Sequence, residues 1–183
     1  MNRQEFLKTC AAGLCACTAT SLIAPMSASA AEPPKPEDWR FQFIKKRYAK
    51  LLEDLAGRVD ERTMDEILRH LGRYCASTLP ILQNHQGDFE GFIAEFKQRA
   101  GEDITYDRAK GTITIVGPER GDCFCPLIDC RYTPKTACNC SLGWQQHVYE
   151  TLLGKKVRVE LTESVLRGGK RCAFIVHVSD AAA

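Results

Sequence analysis

The chain has 183 residues, with 25 basic and 23 acidic side chains and a formal net charge of +2. A charge this near balance leaves no electrostatic footprint for nucleic acid or an anionic membrane surface, and it excludes partners of those kinds as the basis of function. Composition departs from the ordinary in one respect, its 10 cysteines.

Residues 1–30 read as an export signal. Arg3 and Lys8 precede a run of small and apolar residues over 9–23, and Ala28-Ser29-Ala30 supplies the small residues of a cleavage site. The run is shorter and more polar than the about 20 apolar residues of a membrane span. Arg3-Gln4-Glu5-Phe6-Leu7-Lys8 resembles a twin-arginine signal, with Gln4 standing where the second arginine would be. The general secretory route is the alternative, and either places the mature protein in the periplasm or outside the cell. Leu14-Cys15-Ala16-Cys17 has the outline of a lipoprotein box, but the apolar stretch before it is short and no lipid anchor is expected. Residues 31–36, rich in proline, read as a flexible lead-in. Residues 37–180 are enough for one domain and too few for two.

Within that domain, 37–56 carries Trp39, Phe43, Tyr48, Leu51, Leu52 and Leu55 at helical spacing, with Gly57 to stop it. Asp60 or Thr63 caps a second helix running to about Ser77, which Pro80 closes. A third helix spans about 88–99, with Asp88 as its cap. The period then changes. Ile104-Thr105-Tyr106 and Thr112-Ile113-Thr114-Ile115-Val116 form a hairpin across a turn containing Gly111. A cysteine-rich loop occupies 121–140, and a fourth helix 141–153, ended by Gly154. Val157-Arg158-Val159-Glu160-Leu161 alternates as a half-exposed strand. A turn at Arg167-Gly168-Gly169-Lys170 leads to a last strand over 172–178. The fold class is α+β: helices packed on one face of a twisted antiparallel sheet, with a Cys-rich loop.

Seven cysteines follow the signal: Cys75, Cys123, Cys125, Cys130, Cys138, Cys140 and Cys172. An odd number cannot all pair within one chain. Cys123, Cys125, Cys130, Cys138 and Cys140 make a spacing of two Cys-x-Cys pairs around a fifth cysteine. In an extended Cys-x-Cys both sulfurs face one way, so the two pairs can present four thiolates to zinc or to an iron–sulfur cluster. Disulfides stapling the loop are the second reading, natural for an exported chain. A reactive thiol is the third: Cys138-Asn139-Cys140 leads into a helix start, whose dipole favours thiolate, and Arg131 and Lys135 share the loop. Cys172, beside Phe174 in the last strand, reads as a core residue.

His147 lies two helical turns after Cys140 and is a candidate base or ligand, against a partly exposed helix histidine. His70 reads as surface, and His85 and His177 have no partner legible in the sequence. Arg73 and Glu163 can hold a substrate or serve in salt bridges, and Trp144 can wall a pocket or fill the core.

Three segments carry a family likeness. Cys138-Asn139-Cys140-Ser141-Leu142-Gly143-Trp144, with Glu163-Ser164-Val165-Leu166-Arg167-Gly168-Gly169-Lys170-Arg171-Cys172-Ala173-Phe174, resembles the ending of vinyl-reductase-like small-ligand domains. It is nearer still to bacterial proteins grouped with L-2-amino-thiazoline-4-carboxylic acid hydrolase, and Leu71-Gly72-Arg73-Tyr74-Cys75-Ala76 resembles a helical segment of that group. The resemblance implies an α+β fold with a small-molecule pocket between helices and sheet, and hydrolysis of a cyclic amidine C–N bond. In such a reaction a thiolate among Cys75, Cys125 and Cys140, or a water on a thiolate-held metal, attacks the amidine carbon. His147 carries the proton and Arg73 holds a substrate carboxylate. A metal- or ligand-binding carrier without turnover, and a disulfide-stapled structural domain, are the alternatives.

Overall fold

The structure, a computed structural model, describes residues 38–178; the export signal, the lead-in and Cys10, Cys15 and Cys17 lie outside the described residues. Helix starts follow the acidic caps. The Asp38 carboxylate accepts the Arg40 N–H (3.1 Å) at the head of α1, Trp39–Ala56. Asp60 accepts both the N–H (2.9 Å) and the hydroxyl (2.8 Å) of Thr63 at the head of α2, Glu61–Ser77, so Asp60 and not Thr63 is the cap. Pro80 does more than close α2: it occupies the first turn of a short helix, α3, Pro80–Asn84, where its missing N–H costs nothing. Asp88 caps α4, Phe89–Ala100.

β1 (Asp103–Asp107) and β2 (Thr112–Val116) form the expected hairpin. After loop 117–134, a 3-10 turn at Lys135–Ala137 runs straight into α5, Cys138–Leu153, which stops at Gly154 in the left-handed conformation (φ 63°). β3 (Val157–Glu163), a 3-10 turn (Val165–Arg167) and β4 (Ala173–Val178) complete the chain. The sheet is wholly antiparallel in the order β1-β2-β4-β3. Ile113, Ile115, Phe174, Val176, Val157 and Val159 are buried, and they join Phe92, Leu142, Val148, Tyr149 and Leu152 of the helices in the main core. The architecture is therefore α+β, with helices packed against the sheet.

Two glycines set the distance between α2 and α5. A Cβ on Gly72 would stand 1.9 Å from the Cys140 carbonyl oxygen, and one on Gly143 would stand 2.0 Å from that of Arg69. The two backbones are in contact, which brings Cys75, one turn beyond Gly72, beside the first turn of α5. A second apolar cluster joins Leu52 of α1, Met64 and Leu68 of α2, and Ile128, Ala137, Cys138 and Leu166.

Candidate functional site

Where the two apolar clusters meet there is a cavity of about 190 Å³. Its apolar wall comes from Phe96, Trp144, Leu161, Leu166 and Phe174, and its polar wall includes Glu102, Gln145 and Ser164. Six of the seven described cysteines line it: Cys75, Cys123, Cys125, Cys138, Cys140 and Cys172. They arrive from α2, from loop 117–134, from the first turn of α5 and from the residue before β4. All seven described cysteines are free thiols.

Loop 117–134 is held in place by its own hydrogen bonds. Gly117 N–H donates to the Cys172 carbonyl (2.9 Å) and Arg120 N–H to that of Lys170 (3.0 Å), which lays the loop along the start of β4. Further on, the buried Asp129 accepts the Arg131 N–H (3.0 Å) and two guanidinium bonds (2.8 and 2.6 Å), while Thr133 Oγ1 accepts the Asp129 N–H (3.0 Å). That guanidinium holds the Asp129 carboxyl well below the usual range. The same loop lines a second cleft of about 300 Å³ with Lys45, Asp122 and Cys130. The buried carboxylate there already has its cation, whereas the inner cavity contains a buried carboxylate oxygen without a hydrogen-bond partner, Glu102 Oε2. Such an atom is costly unless something joins it, and on that ground the inner cavity is the better candidate.

The start of α5 departs from the sequence expectation. The helix begins at Cys138, not at 141, so Cys138-Asn139-Cys140 is helical and not extended. At about 100° per residue, two residues along a helix face nearly opposite ways. The Cys138 sulfur shares a hydrogen bond with Ser164 Oγ (3.1 Å) toward the sheet, while Cys140 has Cys125 and Cys75 as its charged-state neighbours. Cys123 and Cys125 divide in the same way: Cys123 neighbours Cys172, Cys130 and Cys138, and Cys125 neighbours Cys75. Each Cys-x-Cys pair thus gives one sulfur to each of two groups. Among the described residues, no three His, Cys, Asp or Glu side chains are arranged to hold a metal ion.

The helix dipole does not make Cys140 a thiolate. Burial, with Cys125 and Cys75 alongside, pushes its thiol up to about 12. Burial pushes Cys125 up as well. The depressed thiol is Cys172, which stands just before β4, packs against the main core as expected and also opens on the cavity. The neighbouring Cys123 thiol, the Val165 N–H, Arg120 and the Ser164 hydroxyl draw the Cys172 thiol down, against burial, while Cys123 is held up. Glu102 moves the other way. Burial raises it to about 7, opposed by Arg120 and reinforced by Cys172. Arg120 lies over the exposed Phe124 ring (5.3 Å).

Of the other residues singled out by sequence, Arg73 donates to Glu150 (2.9 Å) as the salt-bridge alternative requires. His147, lowered by burial, by Arg73's charge and against Glu150, sits with that pair; neither Arg73 nor His147 lines the cavity. Glu163 accepts the Lys170 N–H (2.8 Å) across the 164–171 turn. His85 bridges Asp88 (3.2 Å) and Glu95 (2.8 Å), a partner that the spacing of the sequence does not reveal. Trp144 walls the cavity against Phe96 (centroids 5.8 Å apart). Glu102, Ser164 and Gln145 went unmarked. Glu102, two residues before the apolar Ile104, carries no motif, and only its burial singles it out.

No family model matches the sequence, and no curated protein matches it. Among solved structures, the chain is similar to a trafficking protein particle complex subunit 3 from Naegleria fowleri covalently bound to palmitic acid (TM-score 0.49, 16% identity, 80% of this chain and 99% of that one). It is similar also to the phenol-responsive sensory domain of the transcription activator PoxR, solved with phenol (TM-score 0.48, 14% identity, 72% and 73%). A third likeness is to a vinyl-4-reductase family protein from Methanocaldococcus jannaschii (TM-score 0.38, 14% identity, 80% and 85%). No described helix is long and apolar enough to cross a membrane.

Proposed function

We propose that the chain is a small-molecule-binding domain and that its ligand occupies the cavity between α2, α5 and the sheet. The observation that carries this reading is the unpartnered, buried Glu102 Oε2 in an otherwise largely apolar cavity of about 190 Å³. An apolar cavity of about 150 Å³ takes a benzene ring, so the ligand is of one-ring or short-chain size. Around neutral pH, Glu102 near pKa 7 exists partly as the neutral acid, and it hydrogen-bonds a single carbonyl or hydroxyl group of that ligand. Trp144, Phe96 and Phe174 give the ring its apolar contacts. The hydrolytic reading would place Arg73 and His147 at the substrate; Arg73 is engaged with Glu150, and both stand outside the cavity lining.

The test is thermal unfolding of the full chain against cyclohexanone, a one-ring carbonyl compound. A ligand that binds only the folded state stabilises it by about 2.7 kcal/mol at a hundred times its dissociation constant. The expected result is a rise in Tm that grows with concentration and is weakened in Glu102→Leu. A Tm unchanged up to millimolar cyclohexanone, or a rise equal in the variant, would overturn the reading.

A further inference from the structure

Helix α1 keeps much of its apolar surface in solvent. Of the nine large hydrophobic side chains exposed among the described residues, five stand on α1: Trp39, Phe41, Phe43, Ile44 and Leu51, 46–68% exposed. Ala49 and Leu52 are its buried residues, and none lies in the first two turns. The apolar positions are ordered. Phe41, Ile44, Tyr48, Leu51 and Leu55 follow one another at steps of three, four, three and four, the spacing of a coiled-coil seam. Tyr48 and Leu55 form its inner margin, packed against the second apolar cluster, while Phe41, Ile44 and Leu51 face solvent. A contiguous exposed apolar strip of this kind marks an interaction surface.

Charge indicates what covers it. Over residues 39–52, α1 carries Arg40, Lys45, Lys46, Arg47 and Lys50 and no acidic residue. Over residues 53–66, the end of α1 and the start of α2, there are six acidic residues against Arg58 and Arg62. The near-balance of the whole chain thus conceals two opposite ends on one helix. A second copy turned end for end offers acid to base and base to acid along the same seam.

We propose that α1 pairs with α1 of a second copy of this chain, antiparallel and related by a two-fold axis. Such an interface is self-complementary: each contact occurs twice. With Ile44 set opposite the partner's Leu55, and Tyr48 opposite the partner's Leu51, the seam closes on itself. Arg47 and Asp54 are seven residues apart, both on the flank of the seam that faces away from the buried Leu52. In that register Arg47 of each copy stands beside the partner's Asp54, the flanking positions that set orientation in paired helices. Asp54 already meets Lys50 on its own helix (3.1 Å), an exposed pair, and a carboxylate can accept a second cation. A parallel pair would instead set the five cations of one copy against those of the other. The proposal stands apart from the ligand reading, although Tyr48 also lines the cavity and places the pairing beside its wall.

The test is sedimentation velocity of the full chain over a range of concentrations, under reducing conditions so that no disulfide joins the copies. The expected outcome is a concentration-dependent species of twice the chain's mass. Leu51→Glu places a charge on the seam twice over and raises the dissociation constant by about 100-fold, with an unchanged circular dichroism spectrum because the side chain is exposed. Arg47→Asp and Asp54→Arg each raise it by about tenfold, since two pairs turn from attraction to repulsion, and the double variant Arg47→Asp with Asp54→Arg restores the dimer. Rescue of this kind separates antiparallel pairing from a general loss of charge or of fold. A chain that stays monomeric at all concentrations would overturn the proposal, and so would a dimer indifferent to Leu51→Glu. Single reversals that weaken the dimer without rescue in the double variant would overturn the antiparallel register and the proposal with it. A monomer that instead binds vesicles of phosphatidylglycerol and phosphatidylcholine through α1, with Trp39 fluorescence shifted to the blue, would assign the strip to a lipid surface and overturn it as well.

Discussion

Cys138 and Cys140 stand two residues apart and meet different neighbours, Ser164 and the Cys75–Cys125 side respectively. The helix backbone alone enforces this, and it is why the even-looking spacing of the cysteines does not yield one converging set of sulfurs. At the same scale, Glu102 ties the cavity to pH. Its carboxyl titrates at about 7 in the folded chain against 4.5 for the ordinary group, so between those values the folded state holds the extra proton. The sign follows from linkage: Glu102 contributes stability that is full below about pH 4.5 and is lost as pH rises through about 7. Cys172 works in reverse. Lowered from 9 to about 6, its contribution is present above pH 9 and lost as pH falls through 6. Glu102→Gln removes the first effect and leaves the second. The expected outcome is that the change in Tm from pH 5 to pH 8 is more positive in Glu102→Gln than in the unaltered protein; parallel Tm–pH curves would contradict it. Alkylation of Cys172 by iodoacetamide should correspondingly begin at lower pH than that of an ordinary thiol, and peptide mapping against pH checks it.

Among the elements, the α2–α5 contact is the most demanding, because backbone meets backbone at Gly72 and Gly143. Alanine at either position needs the helices to part, and overpacking of this kind costs about 1–3 kcal/mol or more. Gly72→Ala and Gly143→Ala should each lower Tm by several degrees, whereas alanine at Gly121, where nothing lies within 4 Å of the added carbon, should not. Equal effects at all three sites would contradict this account of the packing. Most elements were legible before the structure, since they rest on local signals. Asp60 and Asp88 cap where acidic caps are expected, and alternation in Val157-Arg158-Val159-Glu160-Leu161 marks β3. What local signals missed were the 3-10 turn at Lys135–Ala137, which starts α5 a turn early, and the second use of Pro80 as the head of α3. The site was legible only in part. The density of cysteines pointed to a segment that lines the cavity, but Glu102 and Cys172 reach that cavity through the sheet topology, and no spacing within the sequence records which strands become neighbours.

For the molecule as a whole, the core is divided into two apolar clusters, and the cavity lies where they meet. A domain without a ligand would gain by filling that space; instead it is lined with thiols and a carboxyl. The central claim is that this space receives a small molecule, and Trp144 is placed to report it because its ring walls the cavity while Trp39 is 68% exposed on α1. The most direct measurement is therefore the fluorescence of Trp144 in a Trp39→Phe chain titrated with cyclohexanone. A saturable change in intensity, lost on Glu102→Leu, is the result expected. A linear change without saturation, identical in both chains, would contradict the claim.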